Sequence, residues 1–487
     1  MGRRREGNAM NRRDFARTGL ATLAAAGTAW VRAQPPADLP PTVTAALARA
    51  GVPAQALAAA VADAAPGGAL RLAHRAGAAV NPASVMKLVT TAAALDLLGP
   101  AWTWRTRIYT TGALEPDGTL RGDLIVRGGG DPKLVAERLW LLLRRVRGLG
   151  IRHVAGDLVL DRTAFALPPH DPAAFDGEPL RPYNVGPDAL LINFGAQVLT
   201  FTPDAAAGVA RVQVEPPLAE VAVPEAVPLA QGPCEDWRAA LRADWAEARR
   251  PRLAGRYPAA CGERVWPLAH PEQAAFAGRA IAGTWAAVGG TLAGRVRDGA
   301  TPAEARLRLT WPSPPLVEVV RDVNKLSHNA MAQHVLLALA WAGRDPDEAP
   351  ATWEAARAAL HGWWRQRLGP EVPAPQVING AGLSRDERVT AGALARLLQW
   401  AWTQPWGPEF AATLPRLGVD GTLARWPAGG AAAHLKSGSL ADVQALAGYV
   451  HQPDGRRRVV VAVVNHPRAA QAREALLALT AWAAQAP

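Results

Sequence analysis

Ser84 and Lys87 are the residues of this chain whose types and spacing best suit nucleophilic chemistry. They lie at the start of a predicted helix, which Asn81 and Pro82 begin and Gly99 ends. Residues three apart share one helix face, and the unpaired N–H groups of a helix start can hold an oxyanion. Buried lysine, unlike arginine, can lose its proton and act as a base. The pair is therefore a candidate nucleophile and base, although a lysine that reaches solvent from a helix end explains the spacing equally well.

A second candidate group is Ser327-His328-Asn329, which lies between two predicted helices. A hydroxyl and an amide two positions apart could line a cleft, with Ser327 relaying a proton and Asn329 binding a carbonyl. Taken alone, both residues are explained by helix capping. His328 alone is more typical of a surface or packing histidine than of a ligand.

A third candidate group is Lys436-Ser437-Gly438-Ser439, on a predicted strand. Gly438 would let a ligand or another backbone approach closely, and an extended peptide can add to such a sheet edge. Lys436 would supply a positive charge for a carboxylate, or else it is an edge lysine that discourages aggregation. The three groups hold four of the six serines and two of the four lysines of the chain, which separate structural roles do not explain.

In this order, the groups resemble the Ser-x-x-Lys, Ser-x-Asn and Lys-Thr/Ser-Gly motifs of penicillin-binding proteins and serine β-lactamases. More closely, the chain resembles the D-Ala-D-Ala carboxypeptidase/endopeptidase family, the class C low-molecular-mass penicillin-binding proteins of the penicillin-binding protein 4 type. A large insert between the first two motifs is typical of that family. The resemblance covers nearly the whole mature chain and also rests on residues 128–132, 156–161, 183–184, 379–385 and 420–423.

The resemblance implies that this is a serine peptidase of peptidoglycan stem peptides. Ser84 would be acylated, Lys87 would be its general base, and Ser327 would pass the proton toward the leaving D-alanine. Water would then hydrolyse the acyl-enzyme. The chain departs from the family at His328, where Asp or Asn is frequent, and this histidine could add a pH dependence of its own.

The resemblance also assigns the substrate-binding groups. Asn329 would position the peptide, and Lys436 with the Ser437 hydroxyl would bind its terminal carboxylate beside Gly438. The backbone N–H groups of the nucleophile and of Ser439 would form the oxyanion hole. Ser437 stands where threonine is commoner, but it keeps the hydroxyl. We predict no metal ion and no cofactor.

The fold class expected from the family is α+β, a β-lactamase/transpeptidase-like core in which an antiparallel sheet packs against helices. Residues 34–100 and 302–487 would form this penicillin-binding domain. Residues 101–301 are predicted as an inserted β-rich region, with two small domains. Helices are predicted over residues 42–65, 82–98, 136–147, 235–249, 316–323, 329–341, 352–368, 390–402 and 469–484. Strands are predicted over residues 69–74, 104–110, 123–126, 157–160, 198–201, 209–214, 435–440, 445–450 and 459–465.

Residues 1–33 are predicted to be a twin-arginine signal peptide, with Arg12 and Arg13 before a short apolar run and a small-residue cleavage site at Ala33. No later segment has the length and hydropathy of a transmembrane helix. The mature protein is therefore expected in the periplasm or cell envelope. Two cysteines in an exported chain, Cys234 and Cys261, most simply form one disulfide.

The net charge of +11 comes from scattered arginines, a pattern that does not favour nucleic-acid binding. The expected partners are peptidoglycan peptides, with β-lactams as covalent inhibitors, and membrane association stays open. Two alternatives remain from the sequence, a serine β-lactamase-like hydrolase and a non-catalytic wall-binding scaffold. The absence of a Gly-x-Ser-x-Gly elbow argues against an α/β-hydrolase.

Overall fold

A five-stranded sheet formed by both ends of the chain organises the protein. The structure is a computed structural model that describes residues 38–65, 67–427 and 429–485; the predicted signal peptide lies outside these residues. The strand order is β2 (Leu70–His74), β1 (Leu57–Asp63), β22 (Arg457–Asn465), β21 (Val443–His451) and β20 (Ala432–Leu440). The described α-helices are α1 Pro41–Ala50, α2 Lys87–Leu97, α3 Ala136–Gly148, α4 Trp237–Ala240, α5 Gln273–Ala287, α6 Leu316–Leu326, α7 Asn329–Ala338, α8 Trp353–Leu368, α9 Ala391–Trp402, α10 Gly407–Thr413 and α11 Arg473–Gln485.

The described strands are β1 Leu57–Asp63, β2 Leu70–His74, β3 Ala79–Val80, β4 Arg105–Thr110, β5 Thr119–Leu120, β6 Leu124–Arg127, β7 His153–Val154, β8 Leu158–Asp161, β9 Ala196–Asp204, β10 Val209–Glu215, β11 Ala226–Ala230, β12 Ala243–Asp244, β13 Arg252–Leu253, β14 Tyr257–Pro258, β15 Arg264–Ala269, β16 Thr291–Leu292, β17 Val296–Asp298, β18 Arg306–Pro312, β19 Val389–Thr390, β20 Ala432–Leu440, β21 Val443–His451 and β22 Arg457–Asn465. The mixed helix and sheet class is as predicted, and α6 to α9 match the predicted helices. The predicted hairpin after residue 445 is the antiparallel pair β21–β22.

The prediction of one helix over the alanine-rich residues 42–65 is wrong in its second half. Helix α1 ends at Ala50, because Gly51 adopts the left-handed conformation with φ of 59°. The residues of β1 are then almost wholly buried between β2 and β22. A strand covered on both faces needs a continuous run of small apolar residues, and such a run has no period that separates it from a buried helix.

The region between α2 and α6 contains most of the remaining β-structure. One five-stranded sheet, β17-β8-β6-β4-β18, packs its apolar face against α3 and α5. A second, β14-β11-β10-β9-β15, surrounds a core of its own. Because β18 pairs with β4, we propose that the inserted region extends to about Pro312 rather than to residue 301. The division of the insert into two small domains stays a proposal.

The second sheet of the insert corrects another prediction. The helix predicted over residues 235–249 is reduced to the single turn α4, where Trp237 packs against Phe201 and Tyr257. The predicted disulfide between Cys234 and Cys261 is present and closes the same region. Helix α5 was not predicted, because residues 276–281 are buried without interruption and leave little amphipathic period in its middle.

Among the helices that the structure describes, none has the length and apolar character needed to cross a bilayer.

Candidate active site

Ser84 lies in a tight turn that leads into α2. Residues Ala83–Met86 form a 3₁₀ turn and the α-helix proper starts at Lys87, five residues after Pro82, which was predicted as the first helical residue. Asn81 accepts the Ala83 N–H through Oδ1 at 2.9 Å, and Ala83 holds a left-handed φ of 47°. Non-glycine residues adopt this conformation at an energetic cost, and such strain is concentrated at functional sites. The turn is fixed from outside by Asn465, which exchanges two hydrogen bonds with the Asn81 backbone.

Lys87 is fully buried beneath the serine. Its Nζ lies 3.0 Å from Ser84 Oγ and 2.7 Å from Asn329 Oδ1, and it also donates to the Ala381 carbonyl. Burial lowers the pKa of Lys87 to about 7, and the charge of Glu387 opposes that shift. The lysine therefore populates its neutral, basic form near neutral pH, and the alternative of a lysine that reaches solvent is wrong.

The second group lies at the junction of α6 and α7. Ser327 occupies this junction with a left-handed φ of 61°, and Asn329 is the first residue of α7. Asn329 connects two parts of the chain, because its Oδ1 accepts from Lys87 while its Nδ2 donates to the Tyr183 carbonyl at 3.0 Å. Its amide orientation is thereby fixed toward the base.

His328 is a helix cap rather than a pH sensor. Its Nδ1 accepts the Met331 N–H at 3.4 Å, and its ring packs 4.5 Å from that of Phe194. Burial, and secondarily the charge of Lys87, lowers the pKa of His328 to about 3. At this pKa the imidazole is neutral across the physiological range, so we expect no pH dependence from His328 there.

The third group lies on β20, which is the outer strand of the central sheet. Lys436 is fully buried, and its Nζ donates to Ser327 Oγ at 2.9 Å and to the Ser437 carbonyl at 2.8 Å. Burial, and then the charge of Lys87, lowers the pKa of Lys436 well below its usual value. The interpretation of Lys436 as a solvent-facing edge lysine is therefore wrong.

Gly438 brings β20 against the turn that holds Ser84. A Cβ at this position would lie 2.5 Å from the Pro82 carbonyl oxygen and 3.2 Å from the Ser84 nitrogen, so only glycine fits. Ser437 Oγ hydrogen-bonds Thr422 Oγ1 at 2.6 Å, and Ser439 is exposed with Oγ 3.3 Å from Gln444. All three predicted motifs thus meet around Ser84.

The outer edge of β20 is covered over only part of its length. Leu435 donates its N–H to the Pro415 carbonyl at 2.8 Å, and Leu417 donates to the Ala433 carbonyl at 3.0 Å. The backbone pairing of this loop with the beginning of the strand ends before Lys436, and beyond it the loop contacts β20 through the Thr422 side chain on Ser437. The stretch beside the three candidate groups is the one that an added peptide strand could pair with.

Several residues that complete the site were not predicted as functional from their types. The Ala381 carbonyl, Glu387 and the Asn81–Asn465 pair act through backbone contacts, for which the sequence gives no spacing rule. Asp420 was also not predicted as functional. Its carboxylate accepts hydrogen bonds from Lys325 Nζ at 2.9 and 2.8 Å, and this ion pair joins the loop of Thr422 to α6. The family resemblance rests partly on residues 379–385 and 420–423, and this was the signal in the sequence that pointed to these two loops.

The chain that carries this site matches a known protein family. A model of the D-Ala-D-Ala carboxypeptidase 3 (S13) family matches residues 41–486. The chain belongs to this family. The S13 match confirms the predicted resemblance and makes the protein a serine hydrolase, specifically a serine D-Ala-D-Ala carboxypeptidase.

Individual relatives agree with the S13 assignment. A D-alanyl-D-alanine carboxypeptidase from Actinomadura sp. (strain R39) is 32% identical over 426 residues, covering 80% of this chain and 74% of that protein. D-alanyl-D-alanine carboxypeptidase DacB from Haemophilus influenzae is 25% identical over 402 residues, covering 79% and 80%. The crystal structure of penicillin binding protein 4 (dacB) from Haemophilus influenzae has a TM-score of 0.68 at 22% identity and covers 87% of this chain and 95% of that chain. It therefore shares the predicted fold.

Proposed function

We propose that this S13 enzyme removes the terminal D-alanine of peptidoglycan stem peptides through an acyl-enzyme on Ser84. Ser84 Oγ forms a bond to the penultimate D-alanine carbonyl carbon, and its proton passes to Lys87 Nζ. The peptide C–N bond then breaks, and the leaving amine takes up a proton by way of Ser327. Water hydrolyses the ester and regenerates the serine.

The arrangement of hydrogen bonds around Lys87 Nζ carries the proposal. A neutral amine has two N–H groups and one lone pair. Asn329 Oδ1 and the Ala381 carbonyl can only accept, so they take the two N–H groups. The lone pair then points at Ser84 Oγ, 3.0 Å away, which is the geometry of a base ready to accept the serine proton.

Recognition of the terminal carboxylate is assigned to Lys436 and Ser437. Lys436 has no carboxylate within ion-pair distance among the described residues, and its burial favours the neutral amine. A bound carboxylate would supply the missing counter-charge and restore the ammonium form. The backbone N–H groups of Ser84 and Ser439 are proposed as the oxyanion hole, because Gly438 brings the two segments into contact.

The same site is proposed to be acylated by β-lactams and to cleave cross-links as a DD-endopeptidase. Penicillin binding protein 4 of Haemophilus influenzae has been crystallised with a β-lactam, which supports the first part. We also propose export to the periplasm, with residues 1–33 as a twin-arginine signal. The S13 match and the complete set of motifs favour the peptidase over the β-lactamase and scaffold alternatives.

The decisive experiment compares wild type with Ser84→Ala in two assays, D-alanine release from a pentapeptide stem and covalent labelling by a fluorescent penicillin. Both signals should disappear in the variant, while circular dichroism and thermal unfolding stay unchanged. D-alanine release by Ser84→Ala would refute the nucleophile assignment. Rapid penicillin turnover by wild type, in place of a long-lived adduct, would favour the β-lactamase alternative. Analysis of products from purified cross-linked fragments measures the endopeptidase share.

A further inference from the structure

Glu387 is a buried acid that the proposed mechanism does not use. Its side chain has no exposed surface. It precedes β19 and lies beside the loop at residues 378–381. Within the described residues, no lysine, arginine or histidine nitrogen lies within 4 Å of its carboxylate. Burying a carboxylate without an ion-pair partner costs folding free energy, so we expect Glu387 to have a compensating role.

One carboxylate oxygen of Glu387 binds three backbone N–H groups of the loop that faces Lys87. Oε1 accepts backbone N–H groups from Ile378 at 3.2 Å, Asn379 at 3.1 Å and Gly380 at 2.8 Å. Ala381 follows Gly380 in the loop, and its carbonyl accepts a hydrogen bond from Lys87 Nζ. The carboxylate thus sets the position of an acceptor that touches the base.

Helix α2 holds the same loop from the opposite side. Thr90 donates its hydroxyl to the Gly380 carbonyl at 2.7 Å, one turn after Lys87. The loop is therefore fixed between a carboxylate on its N–H side and two α2 side chains on its carbonyl side. A shift of the loop would move the Ala381 carbonyl away from the base.

The charge of Glu387 acts on the base as well. Three N–H donors on one oxygen favour the anionic form, although burial raises the pKa of Glu387, and Oε2 has no hydrogen-bond partner in the described structure. The other titratable groups that interact with Lys87 are Lys436, from β20, and His328, from the start of α7. Lys436 can only add positive charge and His328 is neutral, so Glu387 is the negative charge that acts on this amine.

Building on the proposed function, we propose that Glu387 is a positioning residue: it fixes the Ala381 carbonyl on Lys87 Nζ and supplies the base with a counter-charge. It touches neither substrate nor nucleophile and acts through the lysine. The two parts of this role, geometry and charge, can be separated by substitution.

The test measures the pH profile of acylation by a fluorescent penicillin for wild type, Glu387→Gln and Glu387→Ala. Gln keeps an oxygen for the three N–H groups but removes the charge, so Lys87 loses its proton more easily. The acid limb should shift to lower pH by about 0.5–1 unit, with the plateau rate largely kept. Ala removes the oxygen as well, and the plateau rate should fall about 10–100-fold.

Asp131→Asn is the matched control. Asp131 is also a buried carboxylate that accepts a backbone N–H, from Lys133 at 2.8 Å, but it lies 3.6 Å from Arg138 of α3 and does not contact the loop at 378–381. This variant should keep the wild-type midpoint. The midpoint of a pH profile does not depend on the fraction of active enzyme, so partial misfolding of Glu387→Gln does not mask the result.

An unshifted acid limb in Glu387→Gln, or a wild-type plateau in Glu387→Ala, would overturn the inference. The proposed function fails in a different way, because wild type itself would then be unlabelled, or Ser84→Ala would be labelled.

Discussion

At the scale of single residues, the site depends on two buried lysines with different tasks. Lys87 Nζ contacts Ser84 Oγ, Asn329 Oδ1 and the Ala381 carbonyl, and burial brings its pKa to about 7, so both protonation states are populated near neutral pH. Lys436 has only a hydroxyl and a carbonyl as acceptors. Lys87 therefore suits a base that alternately accepts and releases a proton, and Lys436 suits a group that binds an anion.

The pH dependence of acylation follows from Lys87. With a pKa of about 7, the amine is protonated at lower pH and cannot take the serine proton. The acylation rate should therefore fall about tenfold for each pH unit below 7 and level off above it. Stopped-flow labelling between pH 5 and 9 measures this limb. A flat profile down to pH 5.5 would contradict the base assignment.

Lys87→Arg removes the base but keeps the charge. Guanidinium does not deprotonate in proteins, so the acylation rate should drop about 10²–10⁴-fold at every pH. The matched control is Lys133→Arg, because Lys133 is a partly exposed lysine of the insert that pairs with Asp322 of α6 at 2.6 Å. That control should acylate at the wild-type rate. If Lys87→Arg did the same, Lys87 would be only a positive charge in the site.

At the scale of elements, β20 must approach the turn of Ser84 more closely than a side chain allows. Gly438→Ala would place a methyl group 2.5 Å from the Pro82 carbonyl. The strand or the turn would have to move by several tenths of an ångström, which disturbs the proposed oxyanion hole.

We expect Gly438→Ala to lower the acylation rate about 10²-fold or more, with little change in the affinity for a non-reactive D-Ala-D-Ala peptide. Single-turnover labelling and calorimetric titration measure the two quantities. Gly455→Ala is a control at the β21–β22 turn, where a Cβ meets no atom within 4 Å; its positive φ costs stability but should leave acylation unchanged. Wild-type acylation by Gly438→Ala would show that the approach is not tight.

At the scale of the whole molecule, the disulfide lies in the part of the insert whose five-stranded sheet has the smaller of the two sheet cores described there. The core around the sheet β14-β11-β10-β9-β15 has eight buried residues, and Cys261 is one of them. A cross-link closing a loop of this length contributes about 2–4 kcal/mol. In a region so poor in core, that contribution should dominate local stability.

Cys234→Ser/Cys261→Ser should therefore increase proteolysis within residues 196–269 by at least tenfold, without changing penicillin labelling of Ser84. Limited proteolysis with mass spectrometry locates the cuts, and dithiothreitol treatment of wild type should reproduce them. If the double variant resisted protease like wild type, the disulfide would not stabilise this sheet.

The sequence by itself determined the chemistry of the site. Lysine and serine are rare in this chain, so their gathering at residues 84–87, 327 and 436–439 was visible without a structure. The family fold followed from the order of those motifs. Helices α6 to α9 were also predictable, because α8 and α9 begin with threonine caps and the helices carry clear apolar runs.

Only the tertiary structure decided what those residues become. The identity of β1 as a strand depends on two sheet neighbours and two covered faces, which an alanine run does not encode. The proposed role of Lys87 as a base depends on its complete burial and on the Ala381 carbonyl, nearly 300 positions along the chain. Desolvation and backbone acceptors are properties of the packed molecule, so the sequence could name the nucleophile and its lysine, but not the environment that makes the lysine basic.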